Sequence, residues 1–198
     1  MTKQHLSQDS ILRNVIESVD LPEISYREDV YLNLIRAIVG QQLSTKVARV
    51  IFDRFLNLFE DQYPHHELLL SLPIETLRSV GLSQGKSHYI QNIARFAQEQ
   101  GLNRELLEPL SDEEIIKYLT QIKGVGKWTV EMLLMFTLQR PDVFPIDDLG
   151  IQQAMVALYL LEEKGKYLKK KMVEIAEPWR PYRTLACRYL WTWKNNNP

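Results

Sequence analysis

The most distinctive stretch of the sequence is a pair of glycines between two segments with helical spacing. Gly124 and Gly126 flank the apolar residue Val125, and a lysine follows directly. Glycines this close permit a tight turn, so the second helix begins with backbone N–H groups that have no partner within the helix. These N–H groups, the positive end of the helix dipole and Lys127 suit an anion such as phosphate. An ordinary αα-hairpin explains the glycine pair alone equally well.

Two adjacent carboxylates come after a proline further along the chain. Asp147 and Asp148 follow Pro145, and Ile151 opens another run of apolar residues. Proline and aspartate are both common where helices begin, so either acid considered alone is predicted to be an N-cap. The two acids lie one helix downstream of the glycine pair, so we interpret the two segments together.

A third polar signal is a pair of glutamines between two stretches with helical spacing. Gly40 is suited to end the first of these helices, and Ser44 is suited to cap the second. Gln41 and Gln42 are therefore predicted to lie at an exposed corner between helices. Simple solvation explains them as well as contact with a partner does.

Helical spacing surrounds these three segments. Apolar residues recur at helical intervals from Val30 to Val39 and from Val47 to Phe59, and alternating strand patterns are scarce. Ser111 and Glu114 have the spacing of a capping box, which predicts the start of the helix ahead of the glycine pair. We therefore predict an all-α fold.

Composition limits the classes of protein that the chain can represent. The single cysteine, Cys187, excludes an intramolecular disulfide and an iron–sulfur cluster held by four cysteines of this chain. The first ten residues are polar, and no apolar run approaches the roughly 20 residues that span a bilayer. We therefore expect an intracellular protein that does not associate with membranes.

The charge is unevenly distributed. The net charge is -1, which argues against a polyanionic partner. From Lys164 onward, however, the chain has nine basic residues and only two acidic ones. A solvated, lysine-rich side of a helix explains this excess as well as a binding surface does. The basic residues are Lys164, Lys166, Lys169, Lys170, Lys171, Arg180, Arg183, Arg188 and Lys194, and the acidic ones are Glu174 and Glu177.

Taken together, the glycine hairpin, the Pro/Asp segment and the Gly-Gln-Gln-Leu-Ser corner resemble the helix-hairpin-helix, Gly/Pro…Asp superfamily of DNA glycosylases. The resemblance runs from about Tyr31 to Trp193. Within the superfamily the sequence is most similar to the 3-methyladenine DNA glycosylase II type, in a short form without room for an N-terminal sheet domain. The resemblance implies excision of alkylated bases, of the 3-methyladenine and 7-methylguanine type, from damaged double-stranded DNA.

The resemblance assigns the catalytic carboxylate to Asp148, with Asp147 as its neighbour. Trp128 stands where relatives that also cut the backbone have a Schiff-base lysine, so the resemblance implies a monofunctional enzyme. Because a cationic alkylated base is already a good leaving group, one carboxylate suffices to stabilise an oxocarbenium-like sugar and to orient water.

An enzyme that acts on a base within a duplex must extrude it into a pocket. We expect Trp128 and Trp191 to form the pocket, with Tyr182 and Tyr31 as further candidates, because indole faces attract a cationic base by about 0.5–2 kcal/mol. The other two tryptophans, Trp179 and Trp193, are expected in the core.

The resemblance also implies how DNA is held. Gln42, with Gln41 beside it, matches the wedge that fills the gap left by the extruded nucleotide. The carbonyls of Thr120, Ile122 and Val125 match positions that hold a Na⁺ or K⁺ ion bridging to a phosphate, and no other cofactor is expected. The predicted DNA-binding residues are Gln41, Gln42, Gly124, Val125, Gly126, Lys127 and Thr129.

The family's layout implies two helical lobes with the catalytic acid in a cleft between them. We assign residues 28–130 to a helical barrel ending in the hairpin, and residues 1–27 with 131–198 to a second bundle. We expect a monomer, cytoplasmic in a bacterium or nuclear in a eukaryote. Two alternatives remain open: a glycosylase for oxidised or mismatched bases, and a non-catalytic helix-hairpin-helix adaptor that binds DNA.

Overall fold

A computed structural model describes residues 2–23 and 28–197 of the chain. These residues form thirteen α-helices and one 3₁₀ helix, and they contain no strand, which confirms the all-α prediction. In the described ranges no helix is both long and apolar enough to cross a membrane. The helices are α1 Thr2–Leu6, α2 Ser10–Ser18, α3 Val30–Gly40, α4 Thr45–Leu56, α5 His66–Ser71, α6 Ile74–Ser79, α7 Gln84–Gln100, α8 Arg104–Leu107, α9 Asp112–Leu119, α10 Lys127–Phe136, α11 Leu149–Tyr159, α12 Gly165–Ala176, the 3₁₀ helix Glu177–Trp179, and α13 Arg183–Asn196.

The chain divides into two compact units. Residues 26–133 form one unit, and residues 1–25 together with 134–198 form the other. The barrel bounds expected from the sequence, 28–130, fall within the first of these units. Residues 24–27, which the expected N-terminal segment includes, lie outside the described part of the chain.

The unit of residues 26–133 is built on α3, α4 and α7. Leu34, Ile38 and Phe55 are completely buried, so the apolar faces predicted from helical spacing do form the core. The Ser44 side chain caps α4 at the Val47 N–H, as predicted. The capping box predicted ahead of the glycine pair is also confirmed.

Helix α4 is shorter than its apolar spacing suggested, because it ends at Leu56 and not at Phe59. The N–H groups of Leu58 and Phe59 donate to carbonyls three residues earlier, so the chain tightens into a turn after the helix. Phe59 is buried from this turn, which explains why an apolar residue at helical spacing lies outside the helix.

Partly buried aromatic and polar contacts link distant segments of the other unit. Asp9 caps α2, and its second oxygen accepts hydrogen bonds from the Tyr159 hydroxyl at 2.7 Å and the Trp179 indole at 3.0 Å. Burial, followed by its hydrogen bond to Asp9, raises the pKa of Tyr159. Trp179 is buried as predicted, whereas Trp193 is only partly buried, so the core prediction for Trp193 is wrong in part.

Candidate functional site

The glycine pair forms a tight connection between α9 and α10. The Val125 N–H donates to the Ile122 carbonyl at 3.0 Å, and the Val130 N–H donates to the Gly126 carbonyl at 3.2 Å. Gly126 therefore stands at the N-cap position of α10. The N–H groups of Lys127 and Thr129 belong to the first turn, where a helix has no intrahelical acceptors for them.

The two glycines have different structural roles. Gly124 has φ +104°, and a Cβ built there would lie 2.2 Å from Cγ of Tyr89 on α7. Any side chain at this position would therefore force the hairpin away from α7. A Cβ at Gly126 would meet nothing within 4 Å, so the N-terminus of α10 is open to an approaching group.

Two of the predicted DNA-binding side chains are engaged within the protein. The Lys127 ammonium lies 3.2 Å from a carboxylate oxygen of the buried Glu131, one turn along α10, so its charge is partly offset. The Thr129 side chain is 3% exposed and accepts a hydrogen bond from the Gln41 amide at 3.4 Å. A DNA contact by the Thr129 side chain is therefore corrected to a structural role, because helical spacing turns this residue inward. Only its backbone N–H remains a candidate phosphate donor.

The glutamine corner is anchored from two distant parts of the sequence. The Lys86 ammonium on α7 donates to the carbonyls of Val39 at 2.8 Å and Gln41 at 2.7 Å. Burial lowers the pKa of Lys86. The Gln41 amide reaches Thr129 on α10, and Gln42 is exposed with the left-handed φ of 59°. The corner thus projects Gln42 from a backbone fixed on both sides.

The connection before Gly124 provides backbone oxygens of the kind that an alkali cation prefers. The Ile122 carbonyl accepts one hydrogen bond, from the Val125 N–H, and a carbonyl oxygen has a second lone pair. The donor set of Thr120, Ile122 and Val125 thus fits a monovalent cation chemically. This ion stays a prediction.

Asp148 lies at the start of α11, where one of its oxygens accepts two hydrogen bonds. Oδ1 accepts from the Ile151 N–H at 2.8 Å and from the Trp191 indole N–H at 2.8 Å. The side chain is buried, with a relative exposure of 9%. The predicted N-cap role is therefore confirmed, and the contact with Trp191 on α13 goes beyond capping.

Gly150 allows this contact between α11 and α13. A Cβ at Gly150 would lie 3.1 Å from Cδ1 of Trp191 and 3.2 Å from Oδ1 of Asp148, closer than side chains normally pack. The Trp191 ring also packs against Phe136, with the ring centroids 5.9 Å apart. The indole is thus fixed in place while its N–H orients the carboxylate.

The loop that leads to Asp148 is tied to the first turn of α13. The Arg183 guanidinium donates to both carboxylate oxygens of Asp142, at 2.7 and 3.0 Å. The Thr184 hydroxyl donates to the Arg140 carbonyl at 2.6 Å and accepts from the Val143 N–H at 3.0 Å. Helix α13 therefore holds both the approach to Asp148 and, through Trp191, Asp148 itself.

The remaining predicted pocket residues are spread over different environments. Trp128 is 41% exposed in the first turn of α10. Tyr31 is 3% exposed, and its hydroxyl donates to the Pro64 carbonyl at 2.7 Å, so it packs as a core residue. Tyr182 packs edge-on against His5. It precedes Trp191 by nine residues, about 13 Å along a helix and on the opposite face, so the structure does not bring these two rings together.

Several anchoring residues carried no signal in the sequence. The hydrogen bond from Trp191 to Asp148 spans 43 residues, the ion pair of Arg183 with Asp142 spans 41, and the contact of Lys86 with Gln41 spans 45. Contacts between residues so far apart produce no periodic pattern in the sequence.

Comparisons with known proteins agree on one family. The family described as "HhH-GPD superfamily base excision DNA repair protein" matches residues 35–181. The chain is 41% identical over 168 residues to DNA-3-methyladenine glycosylase 1 of Schizosaccharomyces pombe, covering 83% of this chain and 72% of that protein. It is 34% identical to the putative DNA-3-methyladenine glycosylase YfjP of Bacillus subtilis, covering 82% of this chain and only 58% of that protein.

A solved structure extends the similarity to the fold. The Schizosaccharomyces pombe 3-methyladenine DNA glycosylase Mag1, in complex with abasic DNA, superposes with a TM-score of 0.82 at 36% identity. The superposition covers 96% of this chain and 94% of that one. Similarity in sequence and in fold therefore points to the same class of protein.

Proposed function

Because this chain belongs to the HhH-GPD superfamily of base excision DNA repair proteins, we propose that it hydrolyses the N-glycosidic bond of alkylated bases in duplex DNA. The substrates are bases of the 3-methyladenine and 7-methylguanine type, and the products are the free base and an abasic site. The observation that carries the proposal is the oriented carboxylate of Asp148, held by the Ile151 N–H and the Trp191 indole.

The chemistry needs one anionic group beside the sugar. As the bond from C1′ to the base breaks, its electron pair leaves with the cationic base, and positive charge develops on the sugar. A carboxylate fixed in advance stabilises this charge without reorganisation. The same carboxylate orients the water that attacks C1′, and this water loses a proton to solvent as the abasic sugar forms. Two N–H donors on Oδ1 reduce the freedom of the Asp148 side chain, which favours this preorganisation.

Base selection follows from charge. An exposed indole can stack on an extruded base, and a cationic base gains about 0.5–2 kcal/mol over a neutral one from the cation–π interaction. Trp128 has the exposure that this role requires. The Trp191 indole N–H, at the edge of the ring, donates to Asp148. The face of the same ring is proposed to stack on an extruded base.

DNA is held by the hairpin and the glutamine corner. The open N-terminus of α10 at Gly126 suits a phosphate, and the exposed Gln42 suits the gap left by an extruded nucleotide. The carbonyls of Thr120, Ile122 and Val125 would hold a Na⁺ or K⁺ ion, which would supply positive charge toward that phosphate. We propose that the protein acts as a monomer.

The test is release of bases from methylated duplex DNA. We expect free 3-methyladenine and 7-methylguanine together with abasic sites that alkali cleaves. If the protein released oxidised or mismatched bases and no methylated bases, the proposed substrate class would be wrong. Tight binding to DNA with no base released would make the chain a non-catalytic adaptor.

A further inference from the structure

Helix α12 concentrates positive charge in the same unit as Asp148. It carries Lys166, Lys169, Lys170 and Lys171, while Met172 and Ala176 are buried against the rest of the unit. Lys166 and Lys170 are one turn apart and exposed, on the side of the helix opposite Met172. The Lys166 ammonium lies 5.1 Å from the ring centre of Tyr167, itself 65% exposed.

The lysines of α12 differ in what surrounds their ammonium groups. Lys169 forms an ion pair with Asp147, the immediate neighbour of Asp148. Lys171 lies 3.7 Å from a carboxylate oxygen of Glu174. Within residues 2–23 and 28–197, neither Lys166 nor Lys170 forms an ion pair.

The pair of Lys169 with Asp147 places this basic face beside the catalytic segment. A protein that brings two adjacent carboxylates close to DNA faces repulsion between those acids and the phosphates. Lys169 offsets the charge of Asp147, and the same helix carries two further ammonium groups, those of Lys166 and Lys170, that form no ion pair within the described residues. At the hairpin, Glu131 partly offsets the charge of Lys127, and the whole chain has a net charge of -1, so positive charge on α12 would add to the attraction for phosphates.

We propose that Lys166 and Lys170 bind the phosphate backbone of duplex DNA next to the segment of Asp147 and Asp148. The proposal rests on the proposed function, because it takes duplex DNA as the substrate. The two lysines constitute a second phosphate site, separate in sequence from the hairpin, and its contribution to binding is electrostatic and independent of base sequence.

The experiment is the salt dependence of binding to duplex DNA containing a stable abasic-site analogue. The double variant K166Q/K170Q removes both charges and keeps side chains that favour helix. Each lost phosphate contact makes the slope of log K against log salt concentration less negative by about 0.9, so we expect a change of about 1.8 and weaker binding at low salt. The matched control is K171Q on the same helix, whose ammonium is offset by Glu174, and we expect it to keep the wild-type slope.

An unchanged slope in K166Q/K170Q would overturn the phosphate site. A change of about 0.9 in K171Q, half that of the double variant, would also overturn it, because every lysine of the helix would then contribute alike whatever surrounds its ammonium group. Circular dichroism of the variants separates either result from loss of α12. Base release by the wild-type protein on methylated DNA is measured in parallel. Binding without base release would contradict the proposed function. The lysine site would still be tested by the salt dependence of binding.

Discussion

The indole of Trp191 donates to the oxygen of Asp148 that also caps α11, which extends the sequence-based view of this residue. The sequence suggested only a ring face for stacking on a base. The structure shows that the edge of the ring holds the carboxylate, so Trp191 is a positioning residue for Asp148 in addition to a pocket candidate. Replacing Trp191 by an aromatic residue that lacks the N–H would distinguish positioning of Asp148 from stacking on a base.

Trp191→Phe keeps an aromatic face against Phe136 and removes the donor to Asp148. A hydrogen bond to a charged group contributes about 1.5–3 kcal/mol, so we expect the single-turnover rate of base excision to fall by about 10- to 100-fold. Affinity for abasic-site DNA should change much less. Excision by Trp191→Phe at the wild-type rate would show that the indole N–H does not position the carboxylate.

Gly150 and Gly85 provide a matched pair, because each is the second residue of its helix. Alanine at Gly85 meets nothing within 4 Å, and alanine at Gly150 crowds both Trp191 and Asp148. Helix propensity favours alanine over glycine by up to about 1 kcal/mol at both positions. We expect Gly85→Ala to be stabilising and fully active, and Gly150→Ala to lose excision rate with a smaller gain in melting temperature. Equal activity of the two variants would refute the role of Gly150.

At the scale of elements, the hairpin from α9 to α10 is defined by a steric requirement at one glycine and open space at the other. Gly124 must lack a side chain because Tyr89 fills the space beside it. Gly126 faces no such neighbour, so its replacement tests the approach of a ligand more directly than it tests packing.

Gly126→Asp places a carboxylate at the N-cap of α10. Aspartate is a good N-cap, so the melting temperature should hold or rise, whereas the added charge should repel a phosphate at this helix N-terminus. We therefore expect weaker binding to every DNA sequence alike, measured by titration with abasic-site and undamaged duplexes. Gly126→Ala, which adds bulk without charge, should weaken binding less. Unchanged affinity in Gly126→Asp would reduce the hairpin to a structural turn.

At the scale of the whole molecule, local signals were readable from the sequence and distant contacts were not. The cap at Ser44 and the capping box of Ser111 with Glu114 each depend on residues three apart, and both were predicted. The hydrogen bond from Gln41 to Thr129 joins residues that lie 88 positions apart, and it was missed. The site combines both kinds of interaction: its carboxylate is a local N-cap, and the partner that orients it comes from another helix.

The proposed reaction as a whole is hydrolysis without cleavage of the DNA backbone. The family resemblance implies that Trp128 stands where a lyase has its lysine, and the neighbouring Lys127 is paired with Glu131. We therefore expect abasic DNA to remain uncut until alkali is added, and borohydride to trap no covalent complex between protein and DNA. A borohydride-stable adduct would contradict the assignment as monofunctional.

The most direct test of the central claim is the single-turnover rate of Asp148→Asn on duplex DNA that contains a methylated base. Asparagine caps a helix about as well as aspartate, so α11 and the melting temperature should be preserved. Loss of one preorganised electrostatic group should lower the excision rate by about 100-fold or more, while binding to abasic-site DNA survives. Excision by Asp148→Asn near the wild-type rate would contradict the account, because Asp148 would then be only a helix cap.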